Sequence, residues 1–159
     1  MSRSPTDSAS SRRAWWLLAL GGALLALSGR LWLIRHYGTA LPYRDEWKAV
    51  AVDLLGPWIA GTLDWRAFVA PLNDHCLVLT RAAAFALVRL NGQWNNLLET
   101  SLNALLVAAP LALVLRTVAP ALGRTAAIVW ALLAGLLLAL PITAENTLWG
   151  IQSLVFFQV

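Results

Sequence analysis

The sequence predicts an all-α polytopic membrane protein. It is expected to have three full transmembrane helices, a truncated fourth, and two interfacial helices in the first outer loop. Three observations predict this. Apolar residues are gathered into long runs at 14–34, 97–115 and 125–142, and about 20 such residues in a helix span a bilayer's hydrocarbon core. The chain is 59% hydrophobic and 13% charged, where soluble domains run near about 45–50% and about 25%. Its nine tryptophans fall mostly at run ends or in the loop between runs, as expected of a ring that is apolar but carries an N–H needing a wet partner.

Residues 1–13 are rich in Ser and Arg, with almost nothing apolar, and read as a disordered cytoplasmic tail. Arg12-Arg13 then precede the first transmembrane run, 14–34, where Arg30 lies near the end and can snorkel to the interface. A cleaved signal peptide is the rival reading, with Ala26-Leu27-Ser28 as a small-residue cleavage site. The later apolar runs favour an uncleaved anchor.

Residues 35–96 form the first outer loop. Within it, Glu46 to Ala60 reads as an amphipathic helix with Trp47, Val50, Leu54 and Trp58 on its apolar face. Leu77 to Leu90 is a second helix, too short and too charged to span. Both are expected to lie in the interface. The turn Asn91 to Asn96 stops the second helix. The run 97–115 follows, interrupted by Glu99 and Pro110. A tight turn with Pro120 and Gly123 is expected over 116–124, then the run 125–142. Residues 147–159 begin a fourth apolar helix too short to cross, which suggests a longer protein.

Arg116 and Arg124 flank the short turn between the second and third runs, so the positive-inside rule puts that turn, and with it the amino terminus, in the cytoplasm. The first loop also carries basic residues, but loops near ~60 residues escape the rule. The expected location is therefore the plasma (inner) membrane, multi-pass, with Asp45, Glu46, Asp74, His75 and Glu145 on the outer face. The net charge of +4 comes almost wholly from arginines scattered or placed at run ends. That is a lipid-headgroup pattern, and no nucleic-acid partner is expected. One cysteine and two histidines exclude an internal disulfide and a Cys/His zinc site.

Tyr43-Arg44-Asp45-Glu46-Trp47 holds two adjacent carboxylates between aromatics. Capping of the following helix accounts for the pair structurally. Functionally, a carboxylate there could take a proton from an acceptor hydroxyl or help hold a divalent cation, with no dedicated metal site evident. Asn73-Asp74-His75 shares the predicted face, either as a cap or as a headgroup or phosphate contact. Arg81 and Arg89, eight positions apart and so within about 80° on a helix, either grip a lipid phosphate or snorkel. Glu99 is either interfacial or, if deep, a site. Glu145 and Asn146 are explained by loop polarity alone, and Gln152 inside an apolar run needs a helix partner.

A tail, one membrane helix, an acidic pair opening a large outer loop, two interfacial helices and a second polar cluster together resemble the GT-C glycosyltransferases, closest to the protein mannosyltransferase and aminoarabinose transferase branches. The acidic pair is Asp45-Glu46. Asp74-His75 falls where those enzymes carry an acidic-His-Pro-Pro element, with Cys76 and Leu77 in place of the prolines. Pro71 to His75, with Arg81 following, also resembles an Asn-Glu-His motif of related membrane proteins, and Trp149 to Gln152 resembles the start of a later helix there. The resemblance covers about 14–159, the amino-terminal third of such an enzyme. It implies transfer of a sugar from a polyprenyl-phosphate donor, with Asp45 as catalytic carboxylate and Glu46 supporting it. Asp74, His75, Arg81, Arg89 and Glu145 would serve the substrate, and membrane lipids would be the surroundings. Two other classes remain open: a non-enzymatic integral membrane protein, and a transporter fragment, which would want polar groups at the bilayer midplane.

Overall fold

The computed structural model describes residues 5–72 and 75–150, apart from the side chains of 5–10 and 143. It is predominantly helical with one minimal hairpin. In order, α1 is Pro5–Tyr37; a π-helix, Trp47–Leu55, continues into α2, Gly56–Ile59; α3 is Arg66–Val69; β1, Pro71–Leu72, pairs antiparallel with β2, His75–Cys76; α4 is Val78–Asn91; α5 is Asn96–Leu122; α6 is Arg124–Ala139; a 3-10 turn, Pro141–Thr143, leads into α7, Ala144–Leu148. The chain divides into two compact units, one built from residues up to Trp32 with Ala104–Ile142, the other from Leu33–Asn103 with residues from Thr143 on.

In the first unit, α1 and α6 approach through small residues. A Cβ on Gly22 would meet Ala131 O at 2.9 Å, one on Gly29 would meet Ala139 Cα at 2.8 Å, and one on Gly135 would meet Gly22 O at 2.7 Å. Small residues allow such backbone contact, and packing rather than apolar burial is what holds helices together in lipid. Ala19, Leu115 and Ala131 form one core cluster, and Ala23, Ala108 and Ala112 another. Arg30, nearly buried, donates Nε–H to Leu138 O at 3.1 Å. Arg116 sits over the Trp16 ring, 5.4 Å from its centre.

Two helices are long and apolar enough to cross a membrane: Ser11–Tyr37 within α1, and α5. Their outward residues are themselves apolar, among them Leu17, Leu24, Leu105, Leu113 and Val114. A soluble protein's core helix would bury such side chains. Three boundaries differ from the sequence expectation. Helix α1 begins at Pro5, inside the stretch read as a disordered tail; residues 1–4 lie outside the described residues. Helix α5 runs on through Arg116 to Leu122, so the expected turn at 116–124 shrinks to Gly123, at φ 75°. Pro110 and Pro120 lie inside it without ending it, because a membrane helix can satisfy the freed carbonyls locally. Helix α6 is 16 residues long, short of the length a full crossing needs. The expected fourth helix at 147–159 is described only to Gly150, and Gln152 lies outside the described residues.

In the second unit, both helices expected in the loop exist, and they bury their apolar faces against each other. The core is Ala49, Val50, Leu54, Leu55, Leu72, Leu77, Ala84 and Val88, with Trp58, Phe68, Phe85 and Trp149 packed on it. Phe85 is edge-on to both Trp58, at 5.4 Å, and Phe68, at 5.6 Å. The expected α-helical face Trp47–Val50–Leu54–Trp58 is not the buried one. Trp47 is exposed, and the buried pairs Ala49/Val50 and Leu54/Leu55 are spaced by five. That spacing matches the span of i→i+5 hydrogen bonding, as in the bond from Gly56 N–H to Ala51 O. The wider turn brings four apolar residues onto one face where an α-helix would spread them.

Candidate functional site

The acidic turn that follows α1 is built by backbone bonds. Glu46 N–H donates to Tyr43 O at 3.2 Å, Trp47 N–H to Arg44 O at 3.3 Å, and Ala49 N–H to Asp45 O at 2.8 Å. Arg44 adopts a left-handed φ of 49°, a conformation uncommon outside glycine. The two adjacent carboxylates part company here. Asp45 is exposed, and Glu46 is 0% exposed. The Glu46 side chain turns back so that Oε2 accepts the Tyr43 N–H at 2.7 Å, which is half of a capping box. Neither acid caps the π-helix through its side chain, and Glu46 itself occupies the cap position.

Arg44 is held from three sides. Its guanidinium lies 5.1 Å from the Tyr43 ring centre and 5.6 Å from that of Trp149, and it pairs with Glu145. Tyr43 and Trp149 meet edge to face at 6.4 Å. The ion pair is half exposed on both sides, so its own stabilisation is small, under about 1 kcal/mol. Beside it, Tyr37, Thr39, Tyr43, Glu145 and Leu148 line a cavity of about 350 Å³, at the lower end of small-ligand sites.

Behind the turn lies a buried polar cluster. Asn96 is 1% and Glu99 3% exposed, with Thr100 and Thr147 buried alongside. Trp94 Nε1–H donates to Glu99 Oε2 at 3.3 Å. Asn96 is fixed by its own N–H donating to Ala40 O at 3.2 Å, and Asn103 donates to Gly150 O at 2.6 Å. Gly150 is wedged against the cluster. A Cβ there would stand 2.6 Å from Asn96 Oδ1, 2.8 Å from Glu46 Oε1 and 3.1 Å from Glu99 Cδ.

The remaining expected site residues go elsewhere. Arg81 is fully buried and committed: Nε–H donates to Ala49 O at 3.0 Å, Nη1–H donates to Ala67 O at 2.9 Å and to Ala70 O, and Nη2 is ion-paired with Asp53 at 3.6 Å. Its Nη2 makes no hydrogen bond but is buried beside Asp53, so, contrary to the sequence expectation, Arg81 is not open at the surface as a lipid-phosphate contact would be. Arg89 is exposed, 5.7 Å from the Trp58 ring centre. His75 is exposed on β2, and Asp74, at the hairpin tip, lies outside the described residues. The turn thus gathers Glu145 beside Arg44, and Glu46 beside Asn96 and Glu99. It does not gather Arg81.

Asn96, Trp94, Trp149 and Gly150 went unrecognised as site residues from the sequence, where Asn96 read as part of a helix stop. The one available signal was Glu99, a carboxylate at the head of an apolar run. Compared with known protein families, curated proteins and solved structures, this chain matches none.

Proposed function

We propose that this chain is a membrane glycosyltransferase unit that moves a sugar from a polyprenyl-phosphate donor to an acceptor on the outer face of the inner membrane. In this reading α1 and α5 cross the bilayer, α6 together with the 3-10 turn that follows it makes the third crossing, and the amino terminus is cytoplasmic. The observation that carries it is the split of the acidic pair: a braced turn leaves Asp45 exposed, two residues from the Tyr43 that lines the cavity, while Glu46 is drawn inward as an anchor. Asp45 takes the proton of the acceptor hydroxyl as that oxygen bonds to the anomeric carbon and the carbon–phosphate oxygen bond breaks. The phosphate leaves with the bonding pair. Arg44, fixed by Tyr43, Trp149 and Glu145, supplies the positive charge facing it, in the role first given to Arg81. Glu145 sets the position of Arg44, and Arg89 and His75 remain open to lipid phosphate.

The test is release of polyprenyl phosphate, read by mass spectrometry, from a panel of polyprenyl-phosphate hexoses and pentoses given to the protein in lipid nanodiscs. The expected result is turnover of at least one donor. Asp45→Asn should lower it by about 100-fold or more without moving the melting temperature, because Asp45 is exposed and makes no cap bond. Equal turnover by wild type and Asp45→Asn, or no donor consumed, contradicts the reading.

A further inference from the structure

The first unit contains a groove of about 680 Å³ between α1 and α6, inside the range of small-ligand sites, about 300–1,000 Å³. Leu18 and Gly21 lie on one wall, Ile128 and Leu132 on the other, and Arg124 stands at one end. Gly21 leaves the space open, since a Cβ there meets nothing within 4 Å. The next residue closes it. A Cβ on Gly22 would stand 2.9 Å from Ala131 O, so the two backbones come together at that level. From Ser11 at the mouth to Gly22 the groove follows α1 for about 16 Å, close to the depth of one leaflet's hydrocarbon, about 15 Å. A transmembrane helix seated here would need the seam to stay open for about 30 Å. A lipid tail needs only its own leaflet.

The mouth is basic. The unit contains six arginines and one carboxylate, Asp7. Arg12 and Arg13 follow Ser11 directly on α1, and Arg116 sits over the Trp16 ring near the same end. Arg124 is exposed and opens α6, whose free first-turn N–H groups add to the positive field. An apolar slot one leaflet deep with a cationic mouth complements an amphiphile with a single anionic end. We infer that the α1–α6 groove binds an acidic phospholipid, with one acyl chain along Leu18 and Gly21 and the phosphodiester at Arg124. Arginine suits that role because its planar fork can donate to two phosphate oxygens at once. The site rests on α1 lying in a bilayer and not on the transferase reading, and its test uses no activity.

The experiment is native mass spectrometry of the delipidated full chain in detergent. It is titrated with phosphatidylglycerol and with phosphatidylcholine of identical acyl chains. The expected result is one lipid retained per chain, with phosphatidylglycerol preferred by about tenfold or more, since each arginine near a headgroup contributes about fivefold. Arg124→Gln should cut the preference about fivefold, while Arg66→Gln, which removes the same charge from the loop unit, should keep it. Gly21→Phe fills the slot and should lower retention of both lipids. Should that variant fail to fold, Ile128→Trp blocks the same space from the facing wall, where residue 128 is exposed. Glycerophosphoglycerol, the same headgroup without tails, should not displace the lipid at equal concentration. Equal retention of the two lipids overturns the proposal, as does a preference that ignores Arg124→Gln. Retention untouched by blocking the slot, or displacement by the tailless headgroup, would put the lipid on the basic surface outside the groove. A dimer of delipidated chains that Gly21→Phe splits would give the groove to a second copy instead.

Discussion

Replacing Arg81 with methionine should unfold the loop unit, or leave it only marginally folded. The side chain fills a fully buried position and joins three elements, donating to Ala49 O in the π-helix, Ala67 O in α3 and Ala70 O just beyond it, while Asp53 balances its charge. Methionine matches the volume but donates nothing. Three carbonyls and a half-buried carboxylate would then lose their partner. Breaking a buried, hydrogen-bonded charge in this way costs about 3–5 kcal/mol, against about 5–15 kcal/mol for the whole stability of a domain. Arg81→Lys should fall between, because a single ammonium cannot reproduce the fork that reaches three carbonyls. Limited proteolysis within 33–103 checks this: rapid cutting in Arg81→Met, slower in Arg81→Lys, little in wild type. Equal resistance in all three would mean that Arg81 is not the tie described.

Gly21 and Gly29 lie in the same helix, yet alanine should act with opposite sign at the two. A Cβ on Gly21 meets nothing within 4 Å, whereas one on Gly29 would stand 2.5 Å from Ala139 Cβ and 2.8 Å from Ala139 Cα and O. Backbone atoms cannot step aside as a side-chain tip can, so α1 and α6 must separate. Gly29→Ala should therefore destabilise by about 1–3 kcal/mol, and larger residues by more. Gly21→Ala should stabilise by about 0.5–1 kcal/mol through helix propensity alone. Melting temperatures of the two variants in one detergent test the contact, and a matching shift would deny it.

The long helices were legible because their signal is local. Apolar runs declare themselves whatever they pack against, and α1 and α5 lie where those runs lie. The ends were less legible. Whether Pro110 and Pro120 stop α5 depends on what satisfies the carbonyls they release, which no window of sequence states. The same limit applies to the site. Asp45 and Glu46 are equivalent as letters, and only the packing of Asn96, Glu99 and Gly150 against one of them separates an anchor from an exposed carboxylate. Arg81 in an apolar stretch reads equally as a phosphate ligand or a buried tie, because the carbonyls it serves come from elements up to 32 residues away. The π-helix was hidden for a further reason: a five-residue spacing of apolar pairs overlaps the α-helical pattern closely enough to pass for it.

The reading of the acidic turn as an outward-facing transferase site depends on which side of the membrane the loop unit occupies, and the protein carries its own probe. Cys76 is its only cysteine and is exposed on β2. Spheroplasts expressing the unmodified protein should be treated with a membrane-impermeant maleimide, before and after permeabilisation. The account predicts labelling of Cys76 in intact spheroplasts, with no gain on permeabilisation. Labelling that appears only after permeabilisation would put Asp45 and its cavity on the cytoplasmic side and contradict the outer-face transferase.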